Sequence, residues 1–195
     1  ITYKDGYIYT GFWKGENQDA NYVCISVTDE DPTKTTVEKK PSWTHTGAGG
    51  FYWAGAYACE DFVLIGTDDG DSGYTNGYAS ILSLDPKTGI LLDEEKLPNV
   101  GDQRSSICYD AATDAYYFTT KGGDFYQIKV EANGTFTEDS LRRLPLDNGA
   151  YDMRTPPMST STPVIYNGRA YIGVSGISQF GNFSGHNMTV IDLET

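Results

Sequence analysis

A hairpin-like pattern recurs along the chain at a nearly constant interval. Each copy places a short turn between two runs of apolar and polar residues, which is typical of two antiparallel strands. The steps between successive turns are 55, 53 and 54 residues, counted from Gly6, Asp61, Asp114 and Gly168. A repeat of this length predicts an array of similar folding units.

Each unit holds more strands than this hairpin. A third strand is predicted in every unit, at residues 22–27, 81–84, 125–130 and 188–193. A fourth strand is predicted in the first three units, near residues 35–38, 90–93 and 135–138. Four short antiparallel strands in a unit of this length are typical of a propeller blade.

One turn carries a family resemblance. The sequence Ser83-Leu84-Asp85-Pro86-Lys87-Thr88-Gly89 resembles the small-apolar-Asp-x-x-Thr-Gly turn of quinoprotein-like propellers, which are built from pyrroloquinoline-quinone-type repeats. A looser copy lies at 130–135. In that family a tryptophan after the turn docks on the neighbouring blade, and Trp43 is the residue of this sequence placed to do so. The resemblance implies an all-β propeller of four-stranded antiparallel blades.

We expect residues 1–195 to form a single partial propeller domain. Its blades are predicted at roughly 1–45, 46–98, 99–158 and 159–195. The last unit lacks a fourth strand, which gives about 3.75 blades, whereas propellers have about four to eight. The chain is therefore expected to be part of a larger propeller, or to be completed by a second copy. The open blade edge could also support self-association, since an unpaired edge strand can pair with another chain.

The charge of the chain excludes some partners. The formal net charge is −13, from 14 Lys and Arg against 27 Asp and Glu. Nucleic acids and anionic membrane surfaces are bound through clustered Lys and Arg, and the sequence has no such cluster. It also has no apolar stretch long enough to span a bilayer. We therefore predict no nucleic-acid partner and no membrane insertion by this segment.

The predicted connections fall into a short class and a long class. In a propeller, the turns between strands one and two and between strands three and four lie on one face of the disc, and the other connections lie on the opposite face. The second class is long here, at residues 12–21, 41–52, 67–77, 98–104, 145–161 and 175–187. Binding residues concentrate on long loops carried by a rigid scaffold. We call their side of the disc the long-loop face and expect ligand contacts there.

The long loops carry side chains that suit a binding surface for a carbohydrate or a protein. The candidate ligand-binding residues are Trp13, His45, Tyr52, Tyr74, Arg104, Arg154, Phe183 and His186. Any one of them could instead pack its own loop against a blade. The functional interpretation therefore depends on several of them lying together.

The acidic loop at 68–77 is a candidate calcium site. Asp69 and Asp71 are two residues apart in a glycine-rich turn, so their oxygens could converge on one Ca²⁺ ion. An EF-hand loop would need a glutamate where this sequence has Ser80. No other cofactor is predicted, because the quinoproteins that resemble this chain hold their quinone beside adjacent cysteines, and the cysteines here are far apart in sequence.

Together these features favour a recognition or scaffold propeller that binds a carbohydrate or protein partner on its long-loop face. The family resemblance and the polar, acidic composition imply an extracellular, cell-surface or periplasmic location. A quinone- or metal-dependent enzyme of the dehydrogenase type and a structural assembly module are the alternatives. The sequence has no nucleophile elbow and no phosphate-binding loop, which favours a non-enzymatic role.

Overall fold

The computed structural model describes residues 1–15, 18–28, 31, 33–36, 38–47, 49–52, 54–70, 78–98, 101–147, 157–179 and 182–194. The regular secondary structure of these residues is all β-strand, in four separate four-stranded antiparallel sheets. We call the sheets blades 1 to 4, in chain order. Within the described ranges there is no helix with the length and apolarity that crossing a membrane requires.

The first three blades share one topology. Blade 1 consists of β1 (Thr2–Lys4), β2 (Tyr7–Gly11), β3 (Ala20–Ser26) and β4 (Trp43–Gly47). Blade 2 consists of β5 (Tyr57–Ala58), β6 (Val63–Gly66), β7 (Tyr78–Leu84) and β8 (Leu91–Pro98). Blade 3 consists of β9 (Cys108–Asp110), β10 (Ala115–Thr119), β11 (Asp124–Ile128) and β12 (Arg142–Pro145). Each strand pairs with the next in sequence, so each of these blades is a meander.

Blade 4 is built differently at both of its edges. Its central strand, β15 (Arg169–Gln179), pairs on one side with β16 (Asn182–Asp192). On the other side it pairs with two short strands, β13 (Pro157–Met158) and β14 (Val164–Tyr166), which together replace a first strand. Among the described residues, no strand lies beyond β16, in the place that a fourth strand takes in the other blades.

Two of the predicted fourth strands are wrong. In blade 1 the strand is Trp43–Gly47 and not 35–38. The described residues 33–36 are polar and exposed, whereas Trp43 and His45 supply an inward-facing side to β4. An alternating pattern with one apolar face is what a half-buried strand requires.

In blade 3 the fourth strand is Arg142–Pro145 and not 135–138. Only an isolated bridge between Val130 and Phe136 forms near the predicted position. The Phe136 amide instead donates a hydrogen bond to Asp93 Oδ2 of blade 2 at 2.8 Å, so this segment contacts the neighbouring blade. The prediction at 90–93 is confirmed in position by β8.

Three apolar clusters join the blades in order. The cluster between blades 1 and 2 includes Tyr22, Trp43, Ile65 and Leu82. The cluster between blades 2 and 3 includes Leu64, Ile81, Phe118 and Ile128. The cluster between blades 3 and 4 includes Tyr117, Phe125, Ile172 and Val174. Burial of these side chains holds the blades together, because each blade covers one apolar face of the next.

Trp43 fastens blade 1 to the β7–β8 turn of blade 2. Its indole Nε1 donates a hydrogen bond to the Pro86 carbonyl oxygen at 2.9 Å. Gly89 has a φ of 70°, and a Cβ on it would lie 2.5 Å from Trp43 Cε3. Glycine therefore permits both the turn and the close approach of the indole ring. The docking role predicted for Trp43 is confirmed.

Backbone hydrogen bonds also join consecutive blades. The amide of Phe51 donates to the Phe12 carbonyl oxygen, Gln103 donates to Thr67, and Ser159 donates to Thr120, at 3.0, 3.0 and 3.3 Å. Each acceptor directly follows the second strand of one of the first three blades. Each donor lies at the start of the next blade. We call these three contacts the blade-linking bonds, and they position the candidate site described below.

We predict that Trp43→Ala lowers the free energy of unfolding by about 3–5 kcal/mol, because it removes a buried aromatic ring from a blade interface. Trp43→Phe should cost less, since it keeps an aromatic ring in the interface while losing the hydrogen bond to Pro86, worth about 1 kcal/mol. Urea unfolding followed by tyrosine fluorescence measures both. Equal losses in the two variants would contradict the importance of ring packing.

Candidate functional site

The blade-linking bonds bring pairs of side chains together on the long-loop face. Trp13 follows the acceptor Phe12, and Tyr52 follows its donor Phe51. At the next junction Asp68 follows the acceptor Thr67, and Arg104 follows the donor Gln103. The same backbone geometry therefore presents an aromatic pair at one junction and an oppositely charged pair at the next.

Trp13, Tyr52 and Arg104 form one stack across these two junctions. The ring centroids of Trp13 and Tyr52 are 5.1 Å apart, with planes inclined by 43°. The guanidinium carbon of Arg104 lies 4.3 Å from the centroid of the Tyr52 ring, which is cation–π geometry. Three of the residues predicted from the sequence are thus in contact, although they come from three different loops.

Arg104 is held in the stack by two buried carboxylates. Its Nε and Nη2 donate to Asp68 Oδ1 and Oδ2 at 3.0 and 2.6 Å, a bidentate pair. Its Nη2 also lies 3.0 Å from Asp102 Oδ2. Asp102 accepts a further charge-assisted hydrogen bond from Lys121 Nζ. These four charged side chains, which we call the ion network, are all buried.

The ion network contains two carboxylates and two cations, so its formal charges cancel. Burying charge is costly unless every member is paired, and each member here contacts an opposite charge. Burial raises the pKa of Asp68 to about 6, although the hydrogen bonds from Arg104 favour the ionised carboxylate. The guanidinium is consequently fixed in direction, and it orients the Tyr52 ring that it contacts.

The outer end of the stack is open to solvent. Trp13 and its neighbour Phe12 are both exposed, whereas Tyr52 is half-buried and Arg104 is buried. The stack therefore runs from a buried ionic anchor to an exposed aromatic edge. An aromatic side chain held in this way can receive a ligand with little loss of rotamer freedom.

His45 lies apart from this stack, on β4. Its ring makes an edge contact with Phe51 at a centroid distance of 6.3 Å, and burial lowers its pKa below the ordinary value. It lines a cleft of about 670 Å³ between blades 1 and 2, with Tyr78, Glu94 and Lys96 among the other lining residues.

The described residues of the connection predicted at 175–187 are strand. β15 and β16 continue through it and pair as far as Gln179 and Asn182. Phe183 and His186 therefore belong to strand β16, opposite Ile177 and Ser175. The backbone pairing of β15 with β16 places Phe183 and His186 within a strand. The prediction of long-loop positions for these two residues is therefore wrong.

Tyr74, Arg154 and Asp71 lie outside the described residues. The backbone amide of Asp69 donates to Asp102 Oδ1 at 3.2 Å, which places this residue beside the ion network. Within the described parts of the chain, no group of three or more His, Cys, Asp and Glu side chains is arranged for a metal ion. A calcium site that includes Asp71 stays a prediction.

Sequence reasoning missed Asp68, Asp102 and Lys121 as site residues. A signal was present, because Thr67-Asp68 and Thr120-Lys121 follow equivalent strands in consecutive units, 53 residues apart. Opposite charges at one repeat position suggest a shared ionic contact. The sequence around Asp68 obscures this signal, because Asp68 is followed by Asp69 and Asp71, whose spacing instead suggests calcium binding.

Comparison with known proteins supports the architecture. No family model matches the chain, and no curated protein matches its sequence. The crystal structure of BamB from Moraxella catarrhalis superposes with a TM-score of 0.51 over 89% of this chain, at 13% sequence identity. This chain has the fold of a β-propeller. The match covers 50% of that BamB chain, so the propeller segment described here spans about half its length.

We predict that Arg104→Gln lowers the free energy of unfolding of this propeller by about 3–5 kcal/mol, because it leaves buried carboxylates short of a cation. Arg169→Gln is the matched control. Arg169 pairs with Asp192 at 3.9 Å, and both side chains are about half exposed, so the loss should be smaller. Chemical denaturation of both variants measures the difference. Equal losses would contradict the anchoring role of the ion network.

A second prediction concerns pH. The pKa of Asp68 is about 6 in the folded chain against an ordinary 3.8, so between these values the folded state binds more protons than the unfolded state. The contribution of this group to stability therefore falls as pH rises through that range, by at most about 1.4 kcal/mol per pH unit. Asp68→Asn should remove this slope, whereas Asn at the exposed Asp61 should keep it. Urea titrations across the range measure the slopes, and an unchanged slope in Asp68→Asn would contradict the assignment.

Proposed function

We propose that this propeller is a non-enzymatic recognition scaffold, located outside the cytoplasm, that binds a protein partner on its long-loop face. The observation that carries the proposal is the stack of Trp13, Tyr52 and Arg104, anchored on the ion network. Tryptophan, tyrosine and arginine are the residue types most enriched at the energetic centres of protein interfaces.

The arrangement suits binding because its order is established before a partner arrives. The bidentate Asp68–Arg104 pair fixes the guanidinium, and the guanidinium fixes the Tyr52 ring. A side chain that is already ordered loses less entropy on association, which leaves more of the contact energy for affinity. The exposed rings of Phe12 and Trp13 provide apolar surface at the point where the partner would dock.

The ion network supports a positioning role better than a catalytic one. Asp68 and Asp102 both contact Arg104, and Asp102 also contacts Lys121. A general base must reach a substrate proton, whereas these carboxylates are buried and engaged by cations. This favours the scaffold interpretation over the dehydrogenase-like alternative.

A carbohydrate ligand is the second candidate, and a different place on the propeller favours it. The cleft between blades 1 and 2 combines the exposed ring of Tyr78 with the polar groups of His45, Glu94 and Lys96. An aromatic platform beside hydrogen-bonding side chains suits a sugar ring. A glycan array probed with the wild type and Tyr78→Ala distinguishes this ligand class from a protein.

We predict that a photoreactive benzoylphenylalanine in place of Phe12, the exposed neighbour of Trp13, forms a discrete cross-linked protein adduct in extracts of the source organism. The same probe in place of Ile90, an exposed residue on the opposite face, should form none. Unlabelled wild-type chain should compete the adduct away, and unlabelled Tyr52→Ala should compete poorly because it breaks the stack. Equal adducts from both probe positions would contradict the proposed face, and glycan binding lost in Trp13→Ala without any adduct would contradict a protein partner.

A further inference from the structure

A cleft of about 450 Å³ opens between blades 1 and 2 on the side of the disc opposite the long-loop face, which we call the short-turn face. It lies where the β1–β2 turn of blade 1 meets the β5–β6 and β7–β8 turns of blade 2. Both walls of the cleft therefore belong to described, neighbouring blades. Its volume is in the range of small-molecule sites, about 300–1,000 Å³.

The cleft has an aromatic floor. Tyr9, Cys24 and Trp43 line it from blade 1, and all three side chains are buried. The ring centroids of Tyr9 and Trp43 are 6.0 Å apart. Tyr7 points to the same side of β2 as Tyr9, because successive side chains of a strand alternate between its faces. Tyr7 also lines the cleft and is 38% exposed, so its ring is open to a ligand that rests on the floor.

The equivalent space at the next blade interface is filled. Phe62 has in blade 2 the repeat position that Tyr7 has in blade 1, one step of 55 residues along the chain. Ser83 has the position of Cys24, as the strand registers show. A Cβ on Gly134, in the β11–β12 connection, would lie 3.2 Å from both Phe62 Cβ and Ser83 Oγ. This connection therefore packs directly on the strand pair, and Phe62 is only 5% exposed.

Trp43 keeps the cleft between blades 1 and 2 open. Its ring lies against Gly89 of the β7–β8 turn, and its Nε1 donates to the Pro86 carbonyl oxygen. The turn therefore rests on the indole and leaves the ring of Tyr7 exposed. The cleft is a local departure from the repeat, and departures of this kind are expected at functional sites.

The mouth of the cleft carries carboxylates on both walls. Asp5 lies on the β1–β2 turn of blade 1, and Glu60 and Asp61 lie on the β5–β6 turn of blade 2. Asp5 pairs with Lys4 at 2.8 Å. Within the described parts of the chain, the exposed carboxylates of Glu60 and Asp61 form neither an ion pair nor a hydrogen bond.

The charges at the mouth favour a cationic ligand. The Lys4 ammonium is neutralised by Asp5, and Lys87 on the β7–β8 turn interacts with Asp85 of the same turn. A hydrogen bond to Asp5 raises the pKa of Lys4, and the charge of Glu60 raises it further, so the local field stabilises an ammonium ion. The net charge of −13 also draws cations towards the surface of the chain.

We propose that this cleft binds a small aliphatic amine, with its ammonium group at the carboxylates of the β5–β6 turn and its methylene chain on the aromatic floor. An alkyl ammonium fits this combination, because methylene groups pack on apolar surface while the charged end stays at the rim. The ring of Tyr7 adds a cation–π contact. The site lies on the opposite side of the disc from the Trp13 stack, so it is a second binding function that does not depend on the partner proposed above.

Isothermal titration calorimetry of the purified chain with cadaverine, a straight-chain diamine, tests the proposal. We expect saturable binding of one ligand per chain, and added salt should weaken it because the ionic contact is exposed. The diol of the same carbon chain lacks the charges and should not bind measurably. A signal that does not saturate, or equal binding of the diol, would overturn the proposal.

Substitutions at the mouth locate the site. Glu60→Gln should weaken cadaverine binding about threefold to fivefold, the effect of losing one exposed ion pair. Glu138→Gln is the matched control, because it makes the same change at an exposed glutamate of the β11–β12 connection, outside the cleft. This variant should bind as the wild type does. Equal losses in the two variants would show that only the net charge attracts the amine, and would overturn the site.

Substitutions of Tyr7 test the contact with the aromatic ring. Tyr7→Ala should weaken binding about twofold to fivefold, the effect of losing a cation–π contact at an exposed site. Tyr7→Phe keeps the ring and should bind as the wild type does, and circular dichroism checks that both variants are folded. Equal affinity of Tyr7→Ala and Tyr7→Phe would overturn the ring contact.

A lysine side chain of another protein carries the same chemistry as a free amine. The peptide acetyl-glycyl-lysyl-glycinamide distinguishes the two sources in the same calorimetric titration. We expect the peptide to bind more weakly than cadaverine, because its backbone does not fit within the cleft beside the β7–β8 turn. Tighter binding of the peptide would overturn the assignment to a free amine.

Discussion

The blade-linking bonds are the constraint on which the arrangement of this molecule depends. A backbone amide and carbonyl that leave their strands at the end of a blade need partners, since unpaired buried groups are costly. Here each acceptor directly after a second strand receives the amide of the next blade. The bond fixes the separation of the residues that follow on both sides. Whatever side chains the sequence places there must then interact.

The residues directly after each blade-linking bond can differ in type from one junction to the next. The candidate site is formed by these differences. Trp13 and Tyr52 meet as aromatic rings at the first junction, and Asp68 and Arg104 meet as an ion pair at the second. Arg104 connects the two, because it contacts Asp68 through its donors and Tyr52 through its flat face. A repeated backbone geometry thus carries a site that is not itself repeated.

The fold could be predicted from the sequence because its signal is periodic. Turns spaced by 53 to 55 residues and one full Asp-x-x-Thr-Gly turn were enough to predict four-stranded blades, and Trp43 could be assigned its docking role. The fourth strands of blades 1 and 3 were misplaced, because they are outer strands whose position depends on contacts with a neighbouring blade. β12, for example, is exposed throughout and carries little apolar pattern.

The candidate site was predicted only in part. Trp13, Tyr52 and Arg104 could be selected as long-loop residues, but their contact depends on bonds between blades that no local pattern reveals. The carboxylates that hold Arg104 are ordinary acidic residues when considered singly. Phe183 and His186 were misassigned because a strand pair that extends beyond the blade has the same polar composition as a loop.

The opposite signs of Asp68 and Lys121 have a consequence for how such a chain folds. Consecutive repeats resemble one another, so a growing polypeptide risks docking them in the wrong order. If the unit that carries Arg104 and Lys121 docked on blade 1 in place of the unit that carries Asp68, Arg104 would be buried without its bidentate carboxylate partner. This loss would destabilise the misassembled intermediate. The charges therefore favour docking of the repeats in their native order.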